Sequence, residues 1–263
     1  MSHLWSIYKK ELRLLFSTWI GYVVIAIFLA LTGYFFYDII TEFSRLSSMY
    51  MSQQQMSGFP YNVNEHLIRF VFGNTSVILL FVVPLLTMRI FSEEKKTGTI
   101  ELMMTSPVRD SQIVFGKYLA SLTVLFAMLA LTWVCIYYLY IYGGAMVSIE
   151  WAPVFAGYLG LLLLGAAYIA LGLFVSSLTK NQIISSIGTF GLLLILWIIG
   201  WSTVYSSTGF AEILRRLSLN NHYENFAKGV INMSDTVFFL CFIGFFLLLT
   251  GRSLETARWR GLK

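Results

Sequence analysis

Charge is what this sequence has least of. Its 263 residues include 18 Lys and Arg and 13 Asp and Glu, 12% of the chain. That is about half the charged share of an ordinary water-soluble domain. Cysteine is also scarce. Cys135 and Cys241 both fall inside apolar runs, where they read as reduced core residues and carry no redox information. The three histidines, His3, His66 and His222, are too scattered for a metal-ligand spacing. No Asp, Glu, Lys, Arg or His interrupts the apolar runs, which disfavours proton-driven transport; a sodium site built from backbone carbonyls stays open. HExxH, GxSxG and paired carboxylates at membrane depth are missing, so a membrane protease or metalloenzyme has no candidate site. A P-loop is missing too. Gly116-Lys117 is followed by Tyr118, and Ser111 stands where the first glycine would be.

What is present is apolar, at 57% of residues, and arranged in long blocks. Blocks of roughly 17–25 apolar residues suit helices that cross a bilayer, whereas barrel strands would alternate polar and apolar over about ten residues. The reading is an all-α polytopic membrane protein, one transmembrane domain over residues 1–263, with six transmembrane helices at about 18–37, 70–88, 118–142, 153–178, 183–205 and 236–251. The last is short. Pro84 should bend the second or free a carbonyl. Trp19, Tyr22, Tyr34, Tyr137, Trp151 and Trp201 cluster near span ends, as an interfacial aromatic belt does.

Lys9, Lys10 and Arg13 ahead of the first run imitate a signal peptide, but the run is long and ends without a small-residue cleavage site. It reads as a retained span. Before it, Leu4, Tyr8, Leu12 and Leu15 share one helical face, which predicts an N-terminal amphipathic elbow helix in the membrane plane. With the N-terminus inside, 13 basic residues fall on the cytoplasmic side. Only Arg45, Arg69, Arg215, Arg216 and Lys228 fall outside. That bias predicts cytoplasmic termini and explains the net charge of +5 without nucleic acid as a partner. The outer segments, 38–69 and 206–235, are long. Met49, Met51 and Met56 could offer thioethers to Cu(I), but they are few and no Cys or His interleaves. Ile213, Leu214 and Leu217 predict a short helix at the outer leaflet.

Between the second and third spans lies the one dense charged patch, residues 91–117. Gly98 should end what precedes it. Thr99 suits an N-cap, Glu101 the first turn, and Pro107 a stop. The seven residues between allow about two helical turns, with Ile100, Met103 and Met104 on one apolar face. Glu93, Glu94, Lys95, Lys96, Arg109 and Asp110 form a charged rim. An apolar knob with a charged rim suits docking of a soluble partner; it equally suits a loop resting on lipid headgroups.

The run RIFSEEKKTGTIELMMTSPVRDSQIVFGKYLAS resembles the region joining the second and third spans of ABC-2-type transporter permeases. It carries the E-x-K-x-G-T-x-E-L core (Glu94, Lys96, Gly98, Thr99, Glu101, Leu102), then Pro107 and Gly116-Lys117. LSLNNHYENFAKGVINMSD is similar to the outer segment of the branch including gliding-motility-associated permeases and the maturation permease of nitrous oxide reductase. The resemblance implies a multi-pass protein of the cell (inner) membrane, acting as the permease subunit of an ATP-driven exporter. It implies a cytoplasmic coupling helix in which Glu94, Gly98, Thr99, Ile100, Glu101, Met103 and Met104 meet a separate ABC ATPase. It implies a second permease subunit, as a homo- or heterodimer, and ATP and Mg bound by the ATPase, with no cofactor or catalytic residue in this chain. The alternative is a non-transporting membrane anchor or assembly factor that docks an ATPase or surface machinery.

Overall fold

The computed structural model describes residues 2–52, 67–99, 108–142, 149–202 and 216–261. Nine helices are found among them, and no strand. They are α1 (Ser2–Ser17), α2 (Trp19–Ser52), α3 (Arg69–Thr87), α4 (Ser92–Thr97), α5 (Asp110–Tyr142), α6 (Trp151–Leu178), α7 (Gln182–Ser202), α8 (Leu219–Ala227) and α9 (Met233–Gly261). Six stretches are long and apolar enough to cross a membrane: Gly21–Arg45, Arg69–Thr97, Asp110–Ile141, Trp151–Leu178, Gln182–Gly200 and Met233–Thr256.

Several helices outrun their apolar cores. α2 continues fifteen residues past Tyr37, so much of the expected outer segment 38–69 is helix. Thirty-four residues make roughly 50 Å of helix, well beyond a hydrocarbon core of about 30 Å. Apolar content measures the membrane-matched part only. Asp38, Thr41, Glu42 and Arg45 are exposed along this extension, while Ile39, Ile40 and Phe43 pack against the core. α5 begins at Asp110, so Gly116 and Lys117 sit inside it rather than opening it. α9 likewise runs past 236–251 at both ends.

α6 is the central helix. Of its apolar window 78% is buried, against 22% for α2, α7 and α9. It touches α3, α4, α5, α7, α8 and α9. Small residues allow that crowding. A β-carbon on Gly157 would collide with the ring of Phe72, and one on Gly160 with Phe226. Ala156, Ala166 and Ala170 are buried in the same bundle, so the small-residue face serves packing within the chain. Pro84 lies within α3, which runs on to Thr87; the Met88 N–H donates to the Pro84 carbonyl.

α1 is separate from the first span. The break falls at Thr18, whose hydroxyl donates to the Leu14 carbonyl at 2.5 Å, and Gly21 N–H donates to the Thr18 carbonyl. α1 packs chiefly on α5 through Ile7, Tyr8 and Glu11, with the Tyr8 and Thr123 hydroxyls 3.1 Å apart. At the opposite end of the bundle lies α8, capped by Ser218 and closed by Gly229 at φ +84°. There Gly229 N–H donates to the Phe226 carbonyl and Val230 N–H to the Asn225 carbonyl, satisfying the last carbonyls of the helix. Leu219, Tyr223, Phe226 and Ala227 point inward, and the Tyr223 hydroxyl donates to the Phe72 carbonyl at 3.0 Å. α8 is distinct from the outer-segment helix expected around Ile213, Leu214 and Leu217: Leu217 is itself helical, and Ser218 separates it from α8. Leu217 is exposed, and residues 213–214 lie outside the described residues.

Candidate functional site

α4 follows α3 after a short turn and presents SEEKKT. Glu93 and Glu94 occupy its first turn and Lys95 and Lys96 its last, the arrangement that the helix dipole favours. Its N-terminus is satisfied from α6. Ser176 Oγ accepts from Phe91 N–H and Ser92 N–H, each at 3.2 Å, and donates to the Met88 carbonyl. The Lys95 ammonium donates to the Ser177 carbonyl, at the C-terminal end of α6. Gly98 ends the helix at φ +72°, a backbone shape that a side chain would strain. The sequence reading of Gly98 as a break is what the structure shows. The Thr99 hydroxyl turns back toward α4, 3.0 Å from Thr97 Oγ1 and 3.4 Å from the Glu94 carbonyl. Ile100, Glu101, Met103 and Met104, with the helix expected for them, lie outside the described residues.

Behind α4 is a buried ionic cluster. The side chain of Lys117, 0% exposed, donates from Nζ to Glu11 Oε1 at 2.7 Å and to the Ile90 carbonyl at 3.0 Å. Glu94 Oε2 lies 2.9 Å from the same nitrogen, as an ion pair rather than an aligned hydrogen bond. Glu11 and Glu94 side chains are 8% and 12% exposed. Lys10, at the solvent edge, reaches Glu94 Oε1 at 3.2 Å. The Phe91 ring centroid sits 5.1 Å from the Lys117 ammonium and walls the cluster. Two carboxylates and two ammoniums therefore join α1, α4 and α5 at one point. A buried cation is tolerated only where it is paired and hydrogen-bonded, and Lys117 meets both conditions.

Of the residues expected from sequence, Glu94 is at the centre of this cluster, and Gly98 and Thr99 are at its exit. Lys117, Glu11, Lys10 and Ser176 were not expected there. Glu11 had a signal: it falls on the apolar face of α1, beside Ile7 and Leu15. Lys117 had the same one, flanked on its face by buried Ile113, Val114 and Ser121. Opposite charges interrupting two apolar faces are a pairing pattern.

The other end of the molecule carries a second polar group. His222 Nδ1 lies 2.6 Å from Asp235 Oδ1, and Asn225 Nδ2 donates to Asp235 Oδ2 at 2.8 Å. The His222 ring stacks on Phe238, with centroids 4.0 Å apart. Arg69 and Lys228 both pair with Glu224, at 2.7 and 2.9 Å, and hold its carboxyl below its usual value: the Lys228 hydrogen bond contributes most, against a burial effect of opposite sign.

A family model described as ABC-2 family transporter protein matches residues 5–253, which takes in most of α1, α4, the ionic cluster, the first five apolar helices and most of the sixth. The chain belongs to the ABC-2 transporter family. No curated protein matches it. As an ABC-2 family member with six apolar helices, it is a multi-pass membrane protein and a transport-related membrane subunit. The charged cluster lies within the matched ABC-2 region, between the second and third apolar helices and the N-terminal helix.

Proposed function

We propose that this ABC-2 protein is the permease subunit of an ATP-driven exporter. It works from the inner membrane with both termini in the cytoplasm, paired with a second permease subunit. A separate ABC ATPase, which binds ATP and Mg, docks on the segment Ile100–Pro107 through Ile100, Glu101, Met103 and Met104, with Glu94, Gly98 and Thr99 at its base. The observation that carries this reading is the anchoring of α4 to three other helices. Lys117 and Glu11 tie it to α5 and α1, and Ser176 ties it to α6. A displacement applied beyond Gly98 enters the bundle at those contacts.

The mechanism follows from stiffness. α4 is a single short helix with polar tethers at both ends. Closure of the ATPase pair on ATP pulls the docked segment, and Gly98 is the swivel between that segment and α4. The Glu94–Lys117–Glu11 chain passes the movement to α1 and α5, and Ser176 passes it to α6, the helix that contacts most of the others. Substrate leaves between the two permeases toward the outside.

The test is co-purification with the ATPase and ATP hydrolysis in reconstituted vesicles. Glu101→Lys and Met104→Asp are each expected to weaken ATPase binding and to lower transport-linked hydrolysis by about tenfold or more, the cost of one misplaced charge at a docking site. Wild-type hydrolysis and transport in both variants would refute the docking assignment. Exposure of the Gly98–Pro107 segment on the outer face, by impermeant labelling, would refute the orientation.

A further inference from the structure

Between the α1–α2 break and α3–α4 the fold leaves a crevice of about 370 Å³. Its two ends differ in chemistry. Leu14, Val24, Leu85 and Leu86 form an apolar wall, and Lys10, Arg89 and Glu93 stand with Glu11 and Glu94 at the polar end. The volume suits a small-molecule or lipid-segment site, which usually spans roughly 300–1,000 Å³. Thr18 and Gly21 line the crevice at the start of α2. On the same turn Trp19 and Tyr22 are 73% and 58% exposed. Exposed Trp and Tyr at a span end mark the headgroup level of a bilayer. The crevice therefore changes from apolar to polar at the depth where a lipid does.

The charges choose among lipids. Two cations and three carboxylates line the polar end, and Lys117 lies directly behind two of those carboxylates. That set is balanced, so it offers no net attraction to an anionic head. Arg89 grips Glu93 through two 2.9 Å hydrogen bonds, and an adjacent phosphate and ammonium could share that pair, one on each partner. We propose that the crevice binds one zwitterionic glycerophospholipid of ethanolamine type from the surrounding leaflet. One acyl chain lies along Leu14, Val24 and Leu86, the phosphate faces Arg89 and Lys10, and the ammonium faces Glu93. The lipid would then touch α1, α3 and α4 together, beside the ionic cluster. The proposal does not depend on transport direction or on ATPase docking.

Native mass spectrometry of the full-length chain in mild detergent tests it, with phosphatidylethanolamine, phosphatidylglycerol and diacylglycerol of matched chains. One phosphatidylethanolamine per chain is expected, retained about tenfold better than the other two, an affinity gap of about 1.4 kcal/mol. Leu14→Trp and Leu85→Trp, at rim positions 48% and 37% exposed, fill the crevice and should each lower retention by about tenfold. Leu192→Trp, on an exposed face of α7, should not. Equal retention of diacylglycerol, or a preference for phosphatidylglycerol, overturns the head-group assignment. Unchanged retention in both rim variants overturns the crevice as the site. A second copy as occupant would also overturn it; that outcome reads as Thr97→Cys, in a chain with its native cysteines replaced, being protected from a thiol reagent in lipid-free dimers and labelled in monomers.

Discussion

The two ends of this bundle each carry a short helix with polar ties to its neighbours, and the two differ in how much apolar surface they bury. α4 buries Ser92 and is fixed by polar contacts: Ser176 at its start, Glu94 to Lys117 behind it, Lys95 to the Ser177 carbonyl. α8 buries Leu219, Tyr223, Phe226 and Ala227 against α6, α7, α9 and α3, and its polar contacts, Tyr223 to the Phe72 carbonyl, His222 and Asn225 to Asp235 and Glu224 to Arg69, are added to that packing. Packing is distributed over many weak contacts and resists any displacement. A few ionic and hydrogen bonds are directional, so they hold one geometry and transmit force along defined lines. The helix joined to the candidate docking segment is the one on strings. The helix at the far end is the one set in the body.

That contrast can be broken most severely at Lys117. Lys117→Ala leaves the buried Glu11 and Glu94 with Lys10, at the solvent edge, in place of their central cation, and should cost about 3 kcal/mol. Thermal unfolding in detergent would read the loss, with rapid hydrogen exchange confined to α1 and α4. A Lys117→Ala protein of unchanged stability would mean that the cluster is hydrated and carries little of the fold. At the other end, Phe226→Ala empties the notch over Gly160 and should cost about 3 kcal/mol. Here the comparison sharpens: protection should fall in α8 and around Phe72 but remain in α4. Ser176→Ala removes the acceptor for two N–H groups of the α4 N-terminus and should cost about 1–2 kcal/mol. It should also loosen α4 without affecting α8.

The smallest effect belongs to the surface pairs of Glu224 with Arg69 and Lys228. The folded carboxyl is held below its ordinary value of 4.5, chiefly by the Lys228 hydrogen bond. The contribution is therefore complete above that value and is lost as pH falls through it toward the folded value. Both partners are half-exposed, so the change is a shallow, salt-sensitive slope below about pH 4.5, absent in Glu224→Gln.

The spans were legible because bilayer thickness imposes a length on apolar runs. Helix ends were not, because the same measure is blind to amphipathic continuation; Asp38, Glu42 and Arg45 looked like loop but are the exposed face of α2. Gly98 could be read as a break because its left-handed φ is a backbone requirement that sequence records directly. The Glu11–Lys117 pair was present as two separate anomalies, each a charge on an apolar face, and only the packing of α1 on α5 joined them. In the outer segment, Ser218 as a cap, Gly229 as a stop, and Leu219, Tyr223 and Phe226 at i, i+4 and i+7 spelled out α8. The sequence reading singled out the greasier trio just before it, Ile213, Leu214 and Leu217, and passed over these capping signals.

Phe72 and Phe226 sit over Gly157 and Gly160 like keys in a slotted shaft. α6 cannot slide along its own axis without lifting both rings out of their seats. On the proposed coupling, a stroke arriving from the Ser176 end would reach α3 and α8 as rotation or tilt of one locked unit rather than as a piston.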